Sequence, residues 1–317
     1  MDWLYAGLGL VILLFAGDAL VRGTVNLSLR LGVPALIVSL TIVAFGTSAP
    51  ELLIAIQAII DGAPGLALGN VVGSNTANVL LVLGLPALLA TFHTSGCETR
   101  KSYLYMIFAS LLFTAICFVG PITWLHGVIL LAALGFVLTD AFLQAKSHHK
   151  SSRDANLVDI EDLEGADPNM PWWQIVIFML LGLAGLPLGA NLLVEGSVSI
   201  ATHYGVSDTV IGLTLVAVGT SLPELATTGM AVIRRQADVA LGNVIGSNMF
   251  NLLAIIGISS LVGPIPVAEN ILSFDIWVML ATSALLLPFV FFKRDITRIW
   301  GIILSALYAA YVVMVLV

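Results

Sequence analysis

The stretch TIVAFGTSAPELLIAI, residues 41–56, decides the fold together with its counterpart TLVAVGTSLPELATTG, residues 214–229. The first is apolar on both sides of GTSAPE, as a membrane-spanning segment is, yet its middle holds a Gly, two hydroxyls, a Pro and Glu51. The second repeats this pattern around Glu224. A charged carboxylate in the middle of a membrane costs about 2.5–3.5 kcal/mol on insertion scales, and such residues normally face a bundle interior or a wet cavity.

The composition is that of a polytopic membrane protein. Of the 317 residues, 59% are apolar and 10% are charged, whereas soluble domains carry about 25% charged residues. Apolar runs long enough to cross the hydrocarbon core as helices recur along the whole chain. The N-terminus has no basic segment, so we expect a retained span and not a cleaved signal peptide. Cys97 and Cys117 indicate neither a disulfide framework nor a metal cluster.

Hydropathy predicts an all-α membrane protein with ten transmembrane helices. A polar, mixed-charge segment at 145–171 separates the first five from the last five and is predicted to be a cytoplasmic linker. With the N-terminus outside, all twelve Lys and Arg residues fall on the inner side, as the positive-inside rule requires, so we expect both termini outside. The predicted helices lie near 3–29, 34–60, 67–92, 102–120, 122–144, 172–202, 207–233, 240–262, 270–292 and 296–317.

An internal repeat relates the two halves of the chain. AFGTSAPEL at 44–52 matches AVGTSLPEL at 217–225, and LGNVVGSNTANVLLVLG at 68–84 matches LGNVIGSNMFNLLAIIG at 241–257, both with an offset of 173 residues. Because each half has an odd number of helices, the second copy enters the membrane from the opposite side, as in secondary transporters. We therefore predict two inverted five-helix repeats, residues 1–144 and 172–317, whose most similar parts span about 38–84 and 211–257.

The repeated motifs place oxygen-bearing side chains at corresponding depths in both halves. In each half a Thr and a Glu lie one helical turn apart and share a helix face. The prolines are expected to free backbone carbonyls, and Gly residues in the third and eighth helices allow close packing. Ca²⁺ takes about 6–8 oxygen ligands, and two carboxylates would balance its charge. The predicted cation site consists of Glu51, Glu224, Thr47, Thr220, Ser48, Ser221, Ser74, Ser247, Asn78 and Asn251, with the carbonyls of Ala44 and Ala217.

Charge balance suggests how such a site works. An empty site would hold two uncompensated buried charges and would be costly to occlude, whereas Ca²⁺, Na⁺ or protons would neutralise it. If only loaded states alternate, the protein is an antiporter. A passive channel would need a continuous polar pore. An intramembrane hydrolase would need a metal-binding His set or a nucleophile with a base, so we expect neither enzyme activity nor a cofactor.

The paired motifs GTSAPEL…GNVVGSNTAN and GTSLPEL…GNVIGSNMFN resemble those of the calcium/cation antiporter superfamily, specifically prokaryotic sodium/calcium exchangers. The resemblance covers the whole ten-helix plan and implies Ca²⁺/Na⁺ exchange by alternating access in the inner membrane, with helices 1 and 6 sliding past the other eight. It implies that Na⁺ and Ca²⁺ are substrates, that the lipid bilayer is the surrounding medium, and that neither nucleic acid nor an obligatory protein partner is needed. It also assigns Ca²⁺ to the two glutamates and two threonines, and Na⁺ to this region and to flanking serines and carbonyls. H⁺/Ca²⁺ antiport on the same glutamate pair is the alternative.

Three features leave interpretations open. Asn251 stands where exchangers of this family often have Asp, so the site has two carboxylates and K⁺ dependence is less expected. Asp18 and Arg22, one turn apart in the first helix, either line the sliding interface or an ion entrance, or are partly hydrated helix-end groups. The acids between 154 and 167 fit no EF-hand spacing, which favours a solvated linker over a Ca²⁺ sensor.

Overall fold

A computed structural model describes residues 2–152, 167, 169–205 and 217–316. Its regular structure is helical, and β pairing in the described ranges is limited to two isolated bridges, Phe92 with Ile296 and Ile122 with Ile265. The helices in chain order are α1 (Asp2–Leu31), α2 (Ala35–Thr47), α3 (Ala49–Ile60), α4 (Pro64–Leu89), α5 (Arg100–Val119), α6 (Trp124–Ser152), α7 (Trp172–His203), α8 (Ala217–Thr220), α9 (Leu222–Ile233), α10 (Ala237–Val262), α11 (Ile271–Phe291) and α12 (Arg298–Leu316).

Eight of these helices are long and apolar enough to cross a membrane, and the bent pair α2–α3 makes a ninth when it is counted as one span. The pair bends by 41° at its break. The predicted seventh span appears as α8 and the short apolar helix α9, while its first part, at 206–216, lies outside the described residues. The ten-span plan therefore stays a prediction.

One predicted boundary is wrong. Helix α6 continues to Ser152, so the first part of the segment predicted as a linker from 145 is helical. Hydropathy misses this extension because a helix that leaves the membrane becomes polar without ending. Residues 153–166, which hold most of the acids between 154 and 167, lie outside the described part. At the far end of the segment the Asp167 amide donates to Asn26 Oδ1 of α1 at 2.7 Å, and Met170 is buried in the cluster that α1 forms with α7.

Helices α4 and α10 form the centre of the molecule. In an apolar 18-residue stretch of each of these two helices 83% and 89% of the residues are buried, against 17% for α6 and 11% for α12, which lie at the periphery. Glycine makes this packing possible. A Cβ on Gly242 of α10 would lie 2.8 Å from the Leu36 carbonyl oxygen of α2, so the two backbones approach as closely as only a glycine allows.

Helices α1 and α7 pack along each other in opposite directions. Gly23, late in α1, lies against Met179, early in α7, whereas Gly196, late in α7, lies against Ala6 near the start of α1. Small residues along both helices permit this contact. Because α1 and α7 are equivalent under the 173-residue offset, corresponding segments of the two halves run antiparallel here.

Candidate cation site

The GTSxPE motifs encode two nearly identical helix breaks. Ser48, between α2 and α3, has φ −86° and ψ 6°, and Ser221, between α8 and α9, has φ −88° and ψ 4°. Each following helix carries its Pro in the first turn, where a missing amide costs nothing. Glu51 and Glu224 also lie in these first turns, where the helix dipole favours a carboxylate. Each motif thus brings the end of one helix and the start of the next to one place.

Both glutamates are buried, with 1% of their surface exposed. Ser48 Oγ donates to Glu224 Oε1 at 3.1 Å, so this hydroxyl of the first half reaches the carboxylate of the second. The hydroxyls of Thr47 and Ser247 face the same carboxylate, and the two glutamates are close enough to repel each other when ionised. The ion pairs among the described residues involve neither glutamate, so a Lys or Arg does not offset their charge there.

The two predicted asparagines are each held by the opposite half. Asn78 Nδ2 donates to Asn248 Oδ1 at 3.0 Å, and Asn251 Nδ2 donates to Asn75 Oδ1 at 2.9 Å. With each amide nitrogen engaged in this way, the oxygen of Asn78 and that of Asn251 are left buried without a donor. Asn251 also begins a π-helical turn, a feature found frequently at functional sites.

Thr47 joins the two halves from the end of α2. Its Oγ1 lies 3.5 Å from Ser247 Oγ and 3.3 Å from Asn243 Oδ1, both on α10. Asn243 in turn donates to Thr228 Oγ1 at 3.2 Å on α9. The close approach of α2 to α10 therefore sets the position of the Thr47 hydroxyl.

The remaining predicted residues are placed as follows. Ser74 is buried on α4. Thr220 is half-buried and lines a cavity of about 260 Å³ between α3, α7 and α9, which Pro50 also lines. The Ala44 carbonyl is not left free by Pro50, because this oxygen accepts the Ser48 amide at 3.1 Å and the Thr47 hydroxyl at 3.3 Å. A ligand role for this oxygen stays a prediction. A proline removes the amide that would bond four residues back, which for Pro50 is the Gly46 carbonyl.

The backbone differs slightly in the second half. The Ser221 amide donates to the Val218 carbonyl, three residues back, at 3.0 Å, whereas the equivalent Ser48 amide donates to the Ala44 carbonyl, four residues back. A ligand role for the Ala217 carbonyl stays a prediction.

The residues that sequence reasoning missed are Asn75, Asn248 and Asn243, together with two methionines. Asn248 Nδ2 lies 3.8 Å from Met106 Sδ, and Asn75 Nδ2 lies 3.9 Å from Met279 Sδ. The signal was present, because Asn75 and Asn248 are 173 residues apart, Met106 and Met279 are too, and each asparagine belongs to a GSN motif.

The arrangement is one that a hard cation satisfies. A buried polar atom without a partner costs about 1–3 kcal/mol, and here several acceptor oxygens share one region. The described residues hold no cluster of three or more His, Cys, Asp or Glu side chains, so two carboxylates and neutral oxygens make up the site, as Ca²⁺ and other hard cations prefer. Among the predicted site residues, the buried oxygens without a hydrogen-bond partner are Glu51 Oε2, Glu224 Oε2, Asn78 Oδ1, Asn251 Oδ1 and Ser221 Oγ.

Asp18 has two basic partners. It pairs with Arg22 at 3.0 Å and also with Arg234, in the turn between α9 and α10. Asp18 is 20% exposed and Arg234 is 14% exposed. The pair therefore joins α1 to the turn before the central helix α10, which favours the interface interpretation of Asp18 over that of a hydrated helix end.

Comparison with known proteins gives consistent matches over almost the whole chain. The model of the sodium/calcium exchanger protein family matches residues 1–142 and 174–317. CaxA of Alkalimonas amylolytica is 37% identical over 96% of this chain and 95% of its own length. The sodium/calcium exchanger MaX1 of Methanosarcina acetivorans is 35% identical over 99% and 98%. Among solved structures, the sodium-calcium exchanger NCX_Mj superposes with a TM-score of 0.82 at 31% identity, covering 98% of each chain.

Proposed function

The chain belongs to the sodium/calcium exchanger family, and on that premise we propose that it exchanges Ca²⁺ for Na⁺ across the prokaryotic cytoplasmic membrane by alternating access. The observation that carries this proposal is the group of buried oxygens without donors around Glu51 and Glu224. A site of this kind attracts cations, and its two carboxylates match the charge of one Ca²⁺.

The charge of the site supports exchange in place of one-way transport. Two ionised, buried glutamates without a basic partner are costly to enclose. Occlusion becomes favourable when Ca²⁺ or sodium ions supply the compensating charge. The site therefore becomes accessible from the first side again only when it holds the other ion, which couples the two fluxes.

Alternating access rests on two inverted repeats. The reciprocal hydrogen bonds between α4 and α10 follow the pattern that a local twofold axis generates. The antiparallel course of α1 and α7 supports the same relation. In this mechanism α1 and α7 slide past the remaining helices, and both chain termini lie outside.

The counter-ion could be Na⁺ or H⁺ on the same site. Protons on Glu51 and Glu224 would neutralise the site as sodium ions do, so H⁺/Ca²⁺ antiport uses the same residues. Na⁺ is favoured because MaX1 and NCX_Mj are both described as sodium/calcium exchangers. Asn251 in place of a third carboxylate favours exchange that does not require K⁺.

The test is ⁴⁵Ca²⁺ flux in proteoliposomes with an imposed Na⁺ gradient, an imposed H⁺ gradient or no counter-ion. We expect ⁴⁵Ca²⁺ uptake in exchange for Na⁺ inside the vesicles, and little uptake without a counter-ion. Uptake driven by internal H⁺ but not by Na⁺ would identify the proton antiporter. Robust uptake with no counter-ion would exclude coupled exchange.

Glu51→Gln and Glu224→Gln test the glutamate pair in the same assay. Each keeps an oxygen and removes one charge, so we expect loss of exchange in a protein that still folds. Glu269→Gln, at an exposed carboxylate outside the site, is the matched control and should transport like the wild type. Substantial exchange by either site variant would place the cation elsewhere.

A further inference from the structure

We propose that Asn75 and Asn248 are positioning residues that turn the side-chain oxygens of Asn251 and Asn78 toward the transported cation. This inference rests on the proposed function, because it concerns ligands of the same site. Neither Asn75 nor Asn248 is needed as a ligand. Each acts through an asparagine of the opposite half.

The hydrogen bonds fix the orientation of each amide in two steps. Asn75 Nδ2 donates to the Asn248 carbonyl at 3.2 Å, and Asn248 Nδ2 donates to the Asn75 carbonyl at 3.4 Å. Because each nitrogen is directed at the opposite backbone, each Oδ1 faces the other way. These two oxygens then accept the amide nitrogens of Asn251 and Asn78, at 2.9 Å and 3.0 Å.

The orientation matters because an asparagine amide has a donor side and an acceptor side. Rotated by half a turn, Asn78 or Asn251 would present its NH₂ group to the cation and repel it. Each of the four asparagines is 1% exposed, so bulk water does not replace a missing partner. Without Asn75, the two orientations of Asn251 therefore become closer in energy and the site loses a fixed oxygen.

The alternative is that the asparagines only clamp α4 to α10. The two ideas differ in which pairs of substitutions are coupled. If Asn75 acts through Asn251, its removal costs little once Asn251 has been replaced. If the asparagines only clamp α4 to α10, removal of Asn75 destabilises the protein to the same extent whether or not Asn251 has been replaced.

A double-mutant cycle on the full-length protein separates them. The variants are Asn75→Ala, Asn251→Ala and both together, and the readouts are equilibrium ⁴⁵Ca²⁺ binding in detergent and the half-saturating Ca²⁺ concentration for exchange. Each single substitution should weaken Ca²⁺ binding by about 10–100-fold, as loss of an orienting partner typically does. The double variant should be no weaker than the weaker single variant.

Asn75 with Asn78 is the matched control pair, since both lie on α4 and the structure gives no hydrogen bond between them. Their effects should multiply. Multiplying effects for Asn75 with Asn251 would overturn the positioning role while leaving the exchange function intact. Absence of Ca²⁺ binding by the wild type would instead overturn the proposed function, and this inference with it.

Asn75→Asp covers the case in which the alanine variants do not fold. It keeps an oxygen that accepts the Asn251 amide, replaces the donor to the Asn248 carbonyl by a second oxygen, and adds a negative charge that favours a cation. We expect Ca²⁺ binding at least as tight as that of the wild type. Binding weakened tenfold or more would show that the contact with the Asn248 backbone is what matters, and would refute the positioning role.

Discussion

Gly246→Ala tests whether the contact between α2 and α10 sets the geometry of the site. A Cβ at this position would clash with the Leu40 carbonyl oxygen and would lie 2.6 Å from Ala44 Cβ. Ordinary contact begins at 3.4 Å, so the helices must separate by at least about 0.8 Å. Ala44 lies one turn before Thr47, whose hydroxyl is 3.5 Å from that of Ser247. The substitution therefore moves Thr47 away from its partners on α10.

The magnitude follows from two opposing effects. Overpacking of this kind costs about 1–3 kcal/mol, while replacing a helical glycine by alanine returns about 1 kcal/mol of helix propensity. The net loss of stability is therefore small, on the order of 0–2 kcal/mol. Function is affected more, because binding constellations must be held to within about 0.5 Å. We expect the half-saturating Ca²⁺ concentration to rise by about 10–100-fold.

The assay is ⁴⁵Ca²⁺ exchange in proteoliposomes together with thermal unfolding in detergent. Gly135→Ala is the matched control, because Gly135 is an exposed glycine of α6 and an added Cβ would meet none of the described atoms within 4 Å. It should gain the same helix propensity and bind Ca²⁺ normally. The reasoning is refuted if Gly246→Ala retains wild-type Ca²⁺ dependence, since the 0.8 Å displacement would then not reach the site.

Two further predictions concern residues outside the site. Asp18→Asn should destabilise the protein by about 1–3 kcal/mol, between the values for exposed and buried ion pairs, because Arg234 loses its partner. Arg22→Gln should lower stability less than Asp18→Asn, because Arg22 is 42% exposed. Equal losses of unfolding free energy in chemical denaturation would show that the pair between Asp18 and Arg234 is not the important one. Burial raises the pKa of the Cys97 thiol, and the nearby Asp238 carboxylate raises it further, so little thiolate forms at neutral pH. N-ethylmaleimide should therefore modify Cys97 only after unfolding, as followed by mass spectrometry. Rapid modification of the folded protein would show that the connection between α4 and α5, which holds Cys97, opens.

The repeated motifs were enough to predict the helix breaks and the buried position of both glutamates. A Gly, a Pro and an acid at the same offset in an apolar segment have few structural explanations, so the local chemistry could be read directly. The spacing of the motif alone did not identify which carbonyl Pro50 releases. The correct position depends on which amide Pro50 lacks, and on the turn at Ser48, whose own amide still reaches Ala44.

Contacts between distant parts of the chain could not be predicted in this way. Arg234 lies 216 residues from Asp18, and their pairing depends on how α1 meets the turn before α10. The orientation of Asn78 likewise depends on Asn248, which becomes its neighbour only when α4 and α10 pack together. Hydropathy predicted that these helices exist, but the sequence alone did not indicate which side chains meet between them.

The exchange of hydrogen bonds between α4 and α10 has a consequence for how such a protein can arise. Each half of the chain carries one glutamate and one asparagine predicted to be a ligand, and the asparagine that accepts a hydrogen bond from the latter lies in the other half. A protein made of one half would complete the site only by dimerising with a second copy inserted upside down. Its Lys and Arg residues would have to be balanced enough to allow both insertions. Fusion of two such copies would remove that constraint and let each half acquire its own charge bias.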